Sequence, residues 1–184
     1  AVSAGIQLNG GNNNVNTQTG DISTTGRQST GVFILGNDNT INITGDMTSS
    51  GDASHSFRVT LGSAGNTINM TGNIRSSGDS SFGFFLDQGA SSNTINMTGN
   101  ISTSGVSAYG LYLDTSDSNT TTLTGNITTT GAIAVGLVLL DSDSNTTTIN
   151  GNIITSGTLA EAVVLEGSDS NTFILSGAVH SLGG

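Results

Sequence analysis

The sequence predicts an all-β protein: a right-handed, single-stranded parallel β-helix (a β-solenoid) of about seven coils of 25–27 residues. Three observations carry that prediction. A fixed register of Asn and Gly runs the length of the chain, apolar residues alternate with polar ones inside each repeat, and the composition is hostile to helix.

The register is set by Asn14, Asn39, Asn66, Asn93, Asn119, Asn145 and Asn171, spaced by 25, 27, 27, 26, 26 and 26 residues. A Gly follows each by six residues (Gly20, Gly45, Gly72, Gly99, Gly125, Gly151, Gly177), and a second Gly by six more (Gly26 to Gly183). A repeat of this length with two or three short strands makes one coil of a solenoid. Residues 1–184 therefore read as one domain, with 1–13 a partial first coil and 171–184 a truncated last one.

Within a repeat the period is two. Thr94-Ile95-Asn96-Met97-Thr98 alternates as a half-buried strand does, and Gly110-Leu111-Tyr112-Leu113 follows as another. Stacking the coils puts equivalent residues in columns. Five apolar columns are predicted to fill the core: Ile41 to Phe173, Ile43 to Leu175, Ile22 to Val179, Val32 to Val163 and Ile34 to Leu165. The Asn column is read as a structural ladder, a turn Asn accepting left-handed geometry and hydrogen-bonding its stacked neighbour. The Gly columns mark corners where φ is positive or backbones crowd.

Composition narrows the function. Gly, Ser, Thr and Asn make up 101 of 184 residues, yet Leu, Ile, Val and Phe still supply about a quarter, enough for a core. The net charge is −10, and the basic residues are Arg27, Arg58 and Arg75 alone, so nucleic acid and anionic membrane are poor partners. No apolar run approaches the roughly 20 residues of a membrane-spanning helix, so direct membrane insertion is not expected. Without Cys there is no disulfide framework or thiolate chemistry. The two histidines, His55 and His180, lie on different columns and are expected on the surface, unable to act together. No Ser-His-Asp arrangement, metal-ligand cluster or phosphate-cradling loop is visible, so no enzyme and no cofactor are expected.

Three outward features remain as candidates. With Leu111 and Leu113 inward, Tyr112 points out, and its column is Phe33, Arg58, Phe85, Tyr112, Val138 and Val164. The sequence predicts an exposed apolar stripe there, beside an outward trough of Gly31, Ser56, Gly83, Gly110, Gly136 and Ala162. Its aromatic faces suit sugar rings, or the stripe is covered by another segment or a second copy. Asp117, Asp143 and Asp169 stack at coil spacing, and their repulsion is relieved either by a bound cation or by solvent. Outward Thr-x-Thr pairs, the pattern of an ice-binding array, are interrupted by Asn42, Asn69 and Asn96.

The run from Asn93 to Gly105 (Asn-Thr-Ile-Asn-Met-Thr-Gly-Asn-Ile-Ser-Thr-Ser-Gly), followed by Gly110-Leu111-Tyr112-Leu113, resembles the passenger regions of bacterial autotransporters. The likeness is one of repeat style over nearly the whole chain and brings no catalytic motif with it. It implies part of a longer secreted passenger, at the bacterial cell surface or outside the cell. There it acts as an adhesin or as a rod and spacer, with a host-surface protein, a glycan or a second copy as partner. The alternative is a carbohydrate-active β-helix enzyme, a lyase or hydrolase using Asp114 or Asp141.

Overall fold

The computed structural model describes residues 3–183. It is a β-solenoid of about seven turns, with no helix among the described residues. Three seven-stranded sheets run along it, and within each every strand pairs in parallel with its equivalent in the neighbouring coil. The first sheet holds Ser3–Asn9, Ser29–Leu35, His55–Val59, Phe84–Leu86, Leu111–Asp114, Val135–Leu140 and Glu161–Glu166. The second runs from Val15–Thr19 to Thr172–Leu175, the third from Ile22–Thr24 to Val179–Ser181. At about 4.8 Å per strand the seven coils span roughly 33 Å.

All five core columns form in the expected register. Ile41, Ile68, Ile95, Thr121, Thr147 and Phe173 face one another across the second sheet, as do Ile43, Met70, Met97, Leu123, Ile149 and Leu175. The third sheet contributes Ile22, Met47, Ile74, Ile101, Ile127, Ile153 and Val179, and the first contributes the Val32 and Ile34 columns. Phe57 and Phe84 stack in the interior with centroids 4.8 Å apart. Burial of this kind contributes about 1.5–3 kcal/mol for each fully enclosed side chain, against the entropy of ordering it.

The corners follow from small local requirements. The left-handed residue is the one before each ladder Asn (Asn13, Asp38, Gly65, Ser92, Ser118, Ser144, Ser170), so the expectation that the Asn itself adopts that geometry is corrected. The Asn is left in a conformation that turns its amide inward. At the second Gly column φ is unexceptional and contact alone selects glycine: a Cβ on Gly105 would lie 2.0 Å from the Gly78 carbonyl oxygen.

The trough of small residues predicted to face outward does not. Gly31, Ser56, Gly83, Gly110 and Gly136 are buried and Ala162 is half-buried. A Cβ on Gly83, Gly110 or Gly136 would meet the Cγ2 of Ile101, Ile127 or Ile153 at 2.6, 2.5 and 2.5 Å, so these glycines lie where the first sheet closes on the third. The cause is a break in alternation as the chain enters the first sheet. The N–H groups of Gly83 and Phe84 both donate to the next coil, to Tyr109 and Gly110 carbonyls at 3.0 Å, whereas successive residues of a regular strand point opposite ways.

Candidate functional site

The Asn ladder is continuous and buried. Asn39, Asn66, Asn93, Asn119 and Asn145 are at most 1% exposed. In each step from Asn14 to Asn145 the backbone N–H and the Nδ2 of one Asn donate to the Oδ1 of the next: Asn66 to Asn93 at 3.0 and 2.9 Å, Asn93 to Asn119 at 2.9 and 3.1 Å. The second Nδ2 hydrogen goes back to a carbonyl of the preceding coil, Asn93 to Ser63 and Asn119 to Ala90 at 3.0 and 2.9 Å. Asn14 and Asn171 close the two ends, Asn14 donating to Asn39 and Asn171 accepting from Asn145. Every polar atom of an inner rung is therefore satisfied, and the column serves the fold.

The Asp column joins successive coils in the same manner. Asp117 Oδ1 accepts the Asp143 backbone N–H at 2.8 Å, and Asp143 Oδ1 accepts that of Asp169 at 2.6 Å. Among the described residues no group of three or more His, Asp or Glu is placed to hold a metal ion. A parallel ladder that the spacing argument missed runs one residue past the first Gly column. Asp46 accepts from Asn73, Asn73 from Asn100, Asn100 from Asn126 and Asn126 from Asn152, at 2.8, 3.1, 2.9 and 2.8 Å. Its signal was present in the sequence as Asp or Asn after six of the seven glycines.

The outward column of the first sheet aligns as expected: Phe33, Arg58, Phe85, Tyr112, Val138 and Val164 are register partners. It is not an exposed stripe. Phe33, Phe85 and Val138 are 6%, 8% and 7% exposed, and Arg58, Tyr112 and Val164 are half-buried. The covering comes from a neighbouring outward column that the sequence reading missed: Thr30, His55, Phe82, Tyr109, Val135 and Glu161. Residues 27 apart put His55, Phe82 and Tyr109 in successive coils. Their rings stack at 4.8 and 5.0 Å, nearly parallel, while Phe85 stacks on Tyr112 at 5.0 Å. Between the columns the contacts turn edge-on: Phe82 meets Phe85 and Tyr112, and Tyr109 meets Tyr112, at 5.0, 5.1 and 5.3 Å. Coil spacing imposes the first geometry, and the ring quadrupoles favour the second.

Arg58 caps this cluster. Its guanidinium lies 5.2 Å from the Phe85 centroid, and its Nε and Nη2 donate to the two carboxylate oxygens of Asp87, which is 3% exposed. His55 is corrected from a surface residue to a buried one. Burial, helped by the nearby Arg58 charge, lowers its pKa to about 3, so the imidazole is neutral across physiological pH. Its Nδ1 accepts the Phe82 backbone N–H at 3.3 Å, which places the proton on Nε2. Burial and the facing Asp114 push the Tyr112 phenol up to about 12. His180, by contrast, is exposed on the last strand of the third sheet, as expected. Asp114 stands in register with Leu140, and Asp141 falls one residue later at an exposed corner, so the two acids occupy different positions of the coil.

Beside the cluster is a cavity of about 250 Å³ lined by Gln28, Thr30, Ala53, His55 and Arg58. Comparison with protein-family models, with curated proteins and with solved structures finds no match to this chain.

Proposed function

We propose that this chain is a non-enzymatic adhesive rod: a secreted or cell-surface β-solenoid of the bacterial autotransporter passenger type, with its contact surface on the outer face of the first sheet. The observation that supports this reading is the aromatic cluster of Phe82, Phe85, Tyr109 and Tyr112 with Arg58 and His55. These residues pack outside a core that is already complete, since Phe84, Leu86, Leu111 and Leu113 fill the interior of the same coils. A spacer needs the ladders and the core but has no use for rings on its outer wall. Half-buried Tyr109 and Tyr112, each an apolar body with a polar tip, suit a contact with a host protein or a glycan.

The test is surface binding. The purified chain is applied to immobilised matrix proteins, glycans and whole bacterial or host cells, beside a Tyr109→Ser, Tyr112→Ser variant matched for fold by circular dichroism. Binding that the variant loses is the expected result. Binding to none of these surfaces, or equal binding by the variant, overturns the adhesive reading.

A further inference from the structure

The cavity beside the cluster has a reason to exist. The stacked column Tyr109, Phe82, His55 changes from rings to a small hydroxyl side chain at Thr30, whose register partner is His55. The wall is thus ring-lined on one side and short on the other. Ala53 and Gln28, both left-handed corner residues, complete the rim. About 250 Å³ is just under the roughly 300–1,000 Å³ of drug-sized ligand sites, which fits a single small ring.

The lining is rich in donors that the fold does not use. With Nδ1 engaged by Phe82, the His55 Nε2–H has no hydrogen-bond partner among the described residues. Arg58 gives its Nε and Nη2 to Asp87, and a guanidinium carries further N–H donors beyond those. The Gln28 amide and the Thr30 hydroxyl add groups that both donate and accept. Arg58 is already neutralised by Asp87, and the chain carries a net charge of −10, so an anionic ligand is disfavoured. What suits an apolar ring wall with several donors and no net charge is a neutral ring bearing hydroxyls.

We infer that the cavity bounded by Gln28, Thr30, Ala53, His55 and Arg58 is a subsite for one neutral hexopyranose ring of a glycan. The inference rests on the adhesive-rod reading and gives its ligand a chemistry. The sugar's apolar face lies against the His55 and Ala53 side, and its hydroxyl oxygens accept from Arg58 and the Gln28 amide. The longer glycan continues over Tyr109 and Tyr112.

The experiment is an NMR titration of the whole chain with methyl α-mannopyranoside, methyl β-glucopyranoside and methyl β-galactopyranoside. It follows the His55 imidazole and Arg58 Nε–H signals up to about 50 mM sugar, since single rings bind in the millimolar range. At least one hexoside is expected to shift both signals saturably. Thr30→Phe, which extends the ring column into the cavity, is expected to weaken that binding about ten-fold or more. Gln28→Gly, at an exposed left-handed position where glycine is at ease, is expected to weaken it several-fold with the fold intact. Shifts by no hexoside, shifts confined to other surfaces, or undiminished binding in Gln28→Gly overturns the subsite. Retained cell or matrix binding without hexoside binding removes the subsite alone. Hexoside binding without any surface binding removes the adhesive reading alone.

Discussion

Asn66 places its backbone N–H and its Nδ2 on one oxygen, the Oδ1 of Asn93, at 3.0 and 2.9 Å. Asn93 repeats the arrangement onto Asn119 and sends its other amide hydrogen back to Ser63. Replacing Asn93 by Ala therefore strands two buried donors of Asn66, each at about 1–3 kcal/mol, while the Ser63 carbonyl keeps the Ser91 N–H. The expected loss is about 3–5 kcal/mol, read as a lower urea midpoint. The outer-face rung Asn96, which donates to Asn69 from an exposed position, serves as the control. Asn96→Ala should cost under about 1 kcal/mol, because water replaces the lost partner. Equal costs at the two positions would show that the buried ladder is no more than decoration.

That ladder was legible in the sequence because a column repeats seven times and any chemistry in it repeats too. The core was legible for the same reason, down to Thr121 and Thr147, which occupy Ile positions and are buried at 4% and 2% exposed. The outer face was not. Alternation counted back from Leu111 assigns Gly110 to the outside, and one bend before the strand reverses that assignment. The column really facing out, with Phe82 and Tyr109, begins ahead of the regular strand, where a period of two says nothing. His55 was misplaced with it, since a lone histidine in a polar stretch gives no sign that two rings will cover it.

Gly105 tests crowding apart from torsion. A Cβ there would lie 2.0 Å from a backbone oxygen, with no positive φ involved. Gly62 is the converse: φ is +72° and nothing lies within 4 Å of the added carbon. Gly62→Ala should cost about 1–2 kcal/mol, the ordinary penalty of a left-handed residue. Gly105→Ala should cost clearly more, because two coils must separate to admit the methyl. Thermal unfolding of the two variants checks the order, and the reverse order would refute the contact argument.

Ile133 is a β-branched residue held at φ 56°, and its side chain is 50% exposed. Its column equivalents are Gln28, Ala53, Ser80, Ser107 and Leu159, all left-handed and none β-branched. The strain is unrelieved by packing, so Ile133→Asn should stabilise the protein by about 0.5–1 kcal/mol. A rise in Tm supports this; a fall would mean that the exposed isoleucine makes a contact worth more than its torsion costs.

Arg58 and Asp87 form a pair in which the carboxylate is nearly enclosed, its side chain 5% exposed. Arg58→Met leaves that charge without its partner and should cost about 3 kcal/mol. Adding Asp87→Leu removes the stranded charge and should restore at least half of the loss. A double-mutant cycle by chemical denaturation measures the coupling. Additive losses would show that the pair contributes nothing jointly.

His55 couples the aromatic cover to pH. Its folded pKa of about 3 lies below the unfolded 6.5, so between those values the unfolded state holds more protons. The stabilising contribution is complete above pH 6.5 and is lost as pH falls towards 3, at a slope of up to about 1.4 kcal/mol per pH unit. His55→Phe keeps a ring on Phe82 and should flatten the stability curve between pH 5 and 7, where carboxylates titrate little. Burial is the larger cause of the shift and the Arg58 charge the lesser, so thinning the cover should undo most of it. Phe82→Ala removes the ring stacked at 4.8 Å and should raise the His55 midpoint towards 6.5, followed by imidazole NMR. Phe84→Ala, two residues further on and facing the interior, should cost about 3–5 kcal/mol in stability and leave that midpoint near 3. A midpoint that moves equally in both variants would show that general loosening, rather than the ring over His55, controls its proton.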